Sequence, residues 1–550
     1  MSNAINAADK LKGLPLAATG FEKLRETKKI YVDKSELVYK ITSYDSAPVF
    51  LTRPRRFGKS LLVSVFESLF KNGLKHFQGL AIADKWKENR NYRVVHLDFS
   101  VFAQYSADAI NRGISLKLIN VFDDIQAISK GWSTGEFLNC TEILLKLLDK
   151  SLINDSSAVL LIDEYDAPVI HAMNDPQRLS EITNLLSSFF ATVKSCERLF
   201  RFVFITGITR LANIKLLSEV NNYVDISFNP EFAEITGITD DELHKYFDPY
   251  VQNAASVLNM TVPDVYSKMK RIYDGYQFSI AAQTTLYNPW SIINFLATPA
   301  NSFKHYWFSS NGATPTLLVN HLLKNSFPDD YGQIKKDRKL IQTSLLEQKS
   351  EITSIPSDLL LTQTGYYSLR RIGNSENLAE LVFPNEEVEE SVIELIETMK
   401  NLRMSSDTAL RIDDNLISYI DDENIEGIVQ IFNAILNECL GPNTVVFNSE
   451  NDVRDIIYSH INLTKLIKSK EKESLLGYSD MELKTACTRL VIEFKRVETD
   501  KDTQKALDAA IEQIRSRRYG EGPYQEKLAR VAMAISQEKR SITAFRKAQE

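Results

Sequence analysis

At 550 residues the chain is too long for one hydrophobic core, so two to four domains are expected. Its 44% hydrophobic and 25% charged residues fit a soluble globular protein, and a net charge of −7 gives no chain-wide footprint for nucleic acid. Four cysteines with no C-x-x-C pair (Cys140, Cys196, Cys439, Cys487) argue against a zinc ribbon or disulfide framework, and no leader or apolar run of about 18 residues is found, so a cytoplasmic location without a membrane partner is expected.

The first apolar run, APVFLT (47–52), leads into RPRRFGKS (53–60) and then a helix-like KSLLVSVFESLFKNG. Three more runs follow, YRVVHLDFS (92–100), SSAVLLIDEYDAP (156–168) and RLFRFVFITGITR (198–210), with helical stretches between them. Continuous apolar strands alternating with helices predict an α/β unit whose parallel sheet is covered on both faces, over 1–235. The loop before the first helix ends in Gly58-Lys59-Ser60. In a P-loop, backbone N–H groups at a helix N-terminus wrap phosphates, the lysine neutralises them and the hydroxyl meets Mg²⁺. Arg53 stands where that pattern has its first glycine; Pro54 can help the turn, and Arg55 and Arg56 add positive charge. In isolation a basic surface loop before a helix would look the same.

The third run favours the phosphate reading. Asp163 and Glu164 leave the carboxyl end of a buried strand, where ligands of parallel sheets bind; the first suits Mg²⁺ and the second an attacking water. The fourth run ends in Thr206 and Arg210, a polar sensor and an arginine suited to phosphate, although Arg210 fits a surface salt bridge equally well. The expected ATP and Mg²⁺ contacts are Arg55, Arg56, Phe57, Gly58, Lys59, Ser60, Leu61, Asp163, Thr206 and Arg210, with Glu164 catalytic.

Residues 236–400 read as a helical middle or lid region broken by aromatic turns, YDGYQFS, LYNPWSIINFL and HYWFSSNGATPT, whose rings suit packing better than base stacking. LLLTQTGYYSLRRIG (359–373) reads as a strand pair or edge strand. A helical connector is expected over 401–446 and a small α/β domain over 447–550. There, Asp480 in YSDMEL precedes VIEFK, which supplies Glu493 and Lys495. On a strand, residues i and i+2 share a face, so Glu493 and Lys495 converge while Phe494 turns inward, and a hairpin brings Asp480 alongside. Two carboxylates and a lysine suit metal-assisted phosphodiester cleavage, with Mg²⁺ or Mn²⁺. Lysines 465, 468, 470, 472 and 484 and arginines 496, 515, 517 and 518 form a basic track suited to a phosphate backbone, or simply a solvated face.

RPRRFGKS, LLIDEYDAP, FITGITR, YDGYQF, YNPWSI and GYY…FPNEEV, in this order, resemble the bacterial and archaeal AAA-ATPase-like family fused to a PD-(D/E)XK nuclease. The resemblance covers nearly the whole chain. It makes Arg53 a family trait and implies a restriction-endonuclease-like C-terminal fold, with Ser479 in place of the motif's proline and Tyr478 in place of its usual arginine. It also implies Glu450 as a further metal carboxylate and Gln513 and Tyr519 as nucleic-acid contacts. The expected partner is nucleic acid, DNA ahead of RNA, with a homo-oligomer open. Such architectures look like components of defence against mobile DNA or of mobile elements. Two readings stand: an ATP-controlled nuclease, or an NTP-dependent switch or scaffold whose nuclease-like domain binds without cutting.

Overall fold

The computed structural model of the chain describes residues 12–16, 20–44, 47–122, 139–149, 153–173, 175–210, 223–309, 318, 321–322, 334, 338–347, 350, 354–373, 375, 377–399, 415–439, 450–461, 467–474, 477–485, 487–498, 502–521 and 526–548. It forms two compact units, Met1–Asn325 with Arg338–Ser391, and Ser326–Asp337 with Val392–Glu550. No helix among the described residues is long and apolar enough to cross a membrane.

The first unit is built on β1 (Val49–Thr52), β2 (Arg93–Asp98), β3 (Ala158–Asp163), β4 (Phe200–Gly207) and β5 (Val224–Asp225). Their order is β2-β3-β4-β1-β5 and every pairing is parallel. Each strand points its carboxyl end the same way, so Thr52, Asp98, Asp163 and Gly207 gather along one edge. All six residues of β3 are buried. One apolar cluster lies on the face of Leu160 and Ile162, and another on the face of Val159 and Leu161 packs the helix Lys59–Asn72. The parallel α/β unit read from the continuous apolar runs is therefore what forms.

The middle region as far as Ser391, apart from Ser326–Asp337, belongs to the same unit. Helix Asp240–Leu258 starts at a reciprocal capping box between Thr239 and Glu242, and helix Pro289–Ala297 at Asn288, whose side chain accepts from two backbone N–H groups. A small antiparallel sheet joins β6 (Lys339–Gln342), β7 (Ser368–Arg371) and β8 (Leu378–Val382) in the order β6-β8-β7. Of the two readings of 359–373, the strand pair is corrected and an edge strand, β7, forms. Ser357–Thr364 is a helix, stopped by Gly365 at φ +94°, and only Ser368–Arg371 is a strand. Six consecutive buried residues, 359–364, hide the periodicity that separates a buried helix from a buried strand.

The second unit carries β9 (Ile467–Ser474), β10 (Gly477–Lys484), β11 (Thr488–Val497), β12 (Lys527–Ser536) and β13 (Ser541–Lys547), ordered β13-β12-β11-β10-β9. β11 and β12 are parallel and the other pairs antiparallel. One sheet face packs helices Ile425–Cys439 and Glu450–His460 through Ile428, Phe432, Ile457, Met481, Ile492 and Phe494. The other packs helix Thr503–Ser516 through Leu507, Ile511, Ile514 and Val491. Helix Ile425–Cys439 thus shares the core of the C-terminal sheet, so this part of 401–446 is structural wall and not a free connector. Residues 401–414 and 440–446 lie outside the described residues, as does Lys465.

Candidate functional sites

The N-terminal site begins where β1 ends. Arg56 and Gly58 take positive φ, +66° and +87°, and the helix starts at Lys59 with no side chain capping its first turn. Uncapped N–H groups and the helix dipole make that turn receptive to an anion. Lys59 is buried, and its ammonium donates to Arg53 O at 2.9 Å and Pro54 O at 3.0 Å. Burial pulls its pKa down, against the opposing charges of Glu164, Asp163 and Asp166. Asp163 is pushed up by burial, against a hydrogen bond with Ser60 and the charge of Lys59. Glu164, also pushed up by burial, stands at the left-handed φ of +50°. Lys59, Ser60, Asp163 and Glu164 are thus brought into one charged cluster, and an anion with a cation fits its uncapped turn, ammonium, hydroxyl and carboxylate.

The arginine in place of glycine has a different task from the one its charge suggests. Arg53 is 1% exposed and is met by backbone carbonyls. Its guanidinium donates to Thr52 O at 2.9 Å, Ser227 O at 2.6 Å and Phe232 O at 3.2 Å, and lies 4.1 Å from the Phe278 ring centroid. Arg53 therefore ties the start of the loop to residues 227–232. Several expected contacts are engaged elsewhere. Arg56 lies over Trp290 at 4.3 Å, and Phe57, fully buried, packs edge-on against Tyr276 and Phe278. Thr206 is fully buried and donates to Leu51 O at 2.8 Å, bridging β4 to β1. Arg210 is 3% exposed, an internal rather than a surface arginine; it pairs with Asp225 and donates to Leu346 O at 2.9 Å, and its charge acts on Arg53 at the start of the loop. Tight packing and internal bonds thus engage the polar and aromatic groups of Phe57, Thr206 and Arg210. Gly58 and Leu61 instead line an apolar cavity of about 100 Å³ with Pro15, Tyr31, Val32 and Ile238.

Sequence reasoning passed over Asp98. The β2–β3 register sets it opposite Asp163, where its charge raises the Asp163 pKa. A carboxylate ending the apolar run VVHLD was the available signal.

The C-terminal site forms where β10 meets β11. Met481 pairs with Ile492, which sets Asp480 opposite Glu493, and Asp480 Oδ2 accepts from Phe494 N at 2.7 Å. Glu493 is 1% exposed; its Oε1 accepts from Lys495 at 2.9 Å, while its Oε2 is buried with no hydrogen-bond partner among the described residues. Burial and then the charge of Asp480 push Glu493 up to about 7, with Lys495 opposing. Burial works against the Lys495 ammonium, yet Glu493, Glu450 and Asp480 hold it above its ordinary value. Glu450, at the start of its helix, accepts from Arg496 N at 3.2 Å and lies 3.9 Å from Lys495. An orphaned carboxylate oxygen beside a second carboxylate fits a divalent cation. Among the described residues no group of three His, Cys, Asp or Glu is already gathered as a metal cage.

Two other expected contacts are corrected. Tyr519 is fully buried, and its hydroxyl accepts from Gln513 at 3.1 Å and from Arg517 at 3.3 Å. Its ring packs in the core beside Ile514, so it offers no face for stacking, while Gln513 is half-buried; together they fasten the end of their helix. Of the basic track, Arg515, Arg517 and Arg518 are exposed, Lys484 pairs with Glu526 at 2.5 Å, and the side chains of lysines 468, 470 and 472 lie outside the described residues.

Comparisons with known proteins agree with this layout. Residues 15–217 match the family model described as predicted AAA-ATPase, and residues 448–545 match that of the PD-(D/E)XK nuclease superfamily. The chain joins an AAA-ATPase-like segment to a PD-(D/E)XK nuclease-superfamily segment. It is also similar, at 25% identity over 97% of its own length and 98% of the relative's, to an uncharacterized protein in the vnfD 5′ region of Azotobacter chroococcum mcd 1.

Proposed function

We propose that the protein is an ATP-binding and ATP-hydrolysing regulator of a Mg²⁺-dependent nuclease that cuts nucleic acid, DNA ahead of RNA. The boundaries proposed are a nucleotide domain over 1–235, a middle region over 236–400, a connecting segment over 401–446 whose helix Ile425–Cys439 packs on the C-terminal sheet, and a nuclease domain over 447–550. In the first, the uncapped turn after Gly58 and the Lys59 ammonium bind the phosphates, Ser60 and Asp163 hold Mg²⁺, and Glu164 takes the proton of the attacking water. The apolar cavity beside Gly58 and Leu61 suits the base. In the nuclease domain Asp480, Glu493 and Glu450 hold the metal, which supplies Lewis acidity and an activated water when bound. Lys495 orients the scissile phosphate and offsets its developing charge.

The observation that carries this reading is the buried, unpartnered Glu493 Oε2 between Asp480 and Lys495, an arrangement that costs stability unless a cation completes it. A plasmid-nicking assay with Mg²⁺ or Mn²⁺ tests it. Cleavage by wild type that disappears in Glu493→Ala and Lys495→Ala is expected. No cleavage by wild type, with nucleotide absent or varied, removes the nuclease. The lack of a ready three-carboxylate cage among the described residues favours one second reading, a nucleotide-dependent switch whose C-terminal domain binds nucleic acid without cutting. Retained binding of an oligonucleotide without cleavage would select it.

A further inference from the structure

Beyond Glu164 the chain continues into Tyr165 and Asp166, which the phosphate reading leaves without a task. Both are sealed from solvent, at 0% and 1% exposure. Both reach the end of β4. Tyr165 N donates to Thr206 O at 3.1 Å, and the Tyr165 hydroxyl donates to Thr209 O at 2.9 Å. Asp166 Oδ2 accepts from Ile208 N at 3.0 Å, from Thr209 N at 2.6 Å and from the Thr209 hydroxyl at 2.6 Å. Gly207 leaves room for this clamp: a Cβ there would stand 2.6 Å from Asp166 Oδ1 and 2.6 Å from Tyr165 Cδ1.

Glu164 sits between the clamp and β3, with its φ of +50°. A residue other than glycine keeps that conformation only where its surroundings over-determine it. Here Asp163 is held by the sheet on one side, and Tyr165 and Asp166 are held by β4 on the other. Glu164 O in turn accepts from Ala167 N at 3.0 Å.

We propose that Thr209, Asp166 and Tyr165 are positioning residues for Glu164, fixing its left-handed turn so that its carboxylate is aimed at the water beside the terminal phosphate. This rests on the reading of 53–60 with 163–164 as a nucleotide site. The phosphate-binding groups lie after β1, on a different strand from the clamp. Removing the Thr209 or the Tyr165 hydroxyl leaves the Asp166 charge beside Lys59 in place, so it misplaces the proton acceptor ahead of the phosphate cradle. An ångström of misplacement lowers the rate without lowering affinity.

The test is steady-state ATP hydrolysis and fluorescent-ATP binding with the full-length chain. Thr209→Val removes one bond to Asp166 and keeps the shape. Its kcat is expected to fall about tenfold with unchanged nucleotide affinity, and Thr209→Ser to restore the rate. In a Glu164→Gln background Thr209→Val is expected to cost nothing further, because the group it positions is already gone. Tyr165→Phe, which deletes the separate bond to Thr209 O, is expected to repeat the pattern. A wild-type rate in both variants, a loss of affinity with kcat intact, or an undiminished loss on top of Glu164→Gln overturns the proposal. Failure of the wild type to bind ATP, or binding indifferent to Lys59→Ala, overturns the nucleotide reading beneath it.

Discussion

The two compact units hold charge out of water in opposite ways. At the end of β1 the buried cations Lys59 and Arg53 are held by backbone carbonyls, a helix N-terminus adds positive potential, and the buried carboxylates of Asp163 and Asp166 act on Lys59. At the end of β11 the buried group is an anion, Glu493, with one oxygen met by Lys495 and the other by no hydrogen-bond partner among the described residues. The first arrangement is receptive to an anion such as phosphate and the second to a cation such as Mg²⁺.

The largest expected effect falls on the anionic site. Glu493→Ala should lower plasmid nicking about a thousandfold while fluorescent-ATP binding stays as in wild type; a shared loss would merge the two sites into one. At the cationic site Lys59→Ala should weaken ATP about a hundredfold or more, measured by the same binding assay. Unchanged affinity would remove the phosphate role of the loop.

A pH experiment sharpens the contrast. Glu493 is raised from 4.5 to about 7, so between those values the fold keeps a proton that the unfolded chain has released. Its contribution is fully present below about 4.5 and is lost as pH rises through about 7. Metal-free denaturant unfolding should then show Glu493→Gln flattening the stability difference between pH 5 and pH 8 by about 2 kcal/mol. An identical pH dependence in wild type and variant contradicts this. The smallest effect expected is that of Tyr519→Phe, a stability loss of about 1 kcal/mol from Gln513 and Arg517 left without their acceptor, with oligonucleotide binding unaltered. Weakened binding at full stability would return Tyr519 to the nucleic-acid surface.

What could be read beforehand follows from where each signal lies. The parallel sheet and the acids ending β3 were legible because an apolar run that stops at a carboxylate is a local signal. The Asp480–Glu493–Lys495 convergence was legible because strand alternation and a hairpin are local as well. Arg53 was not, since the carbonyls that bury it come from residues 227–232, some 175 positions along the chain. Arg210 and Tyr519 lie close in sequence to what holds them, Asp225 and Ile514, but only the fold shows that these positions point inward. The β9 strand IKSKEKES escaped because its lysines and glutamates carry no apolar alternation, which an edge strand does not need.

The central claim is that an ATP site governs a metal site in the same chain. Plasmid nicking in Mg²⁺, followed with and without ATP in wild type and in Lys59→Ala, tests it most directly. The account predicts nicking by wild type at a rate that ATP changes, and nicking by Lys59→Ala that ATP leaves untouched. Equal rates with and without ATP in wild type, or an ATP response that survives Lys59→Ala, would contradict it.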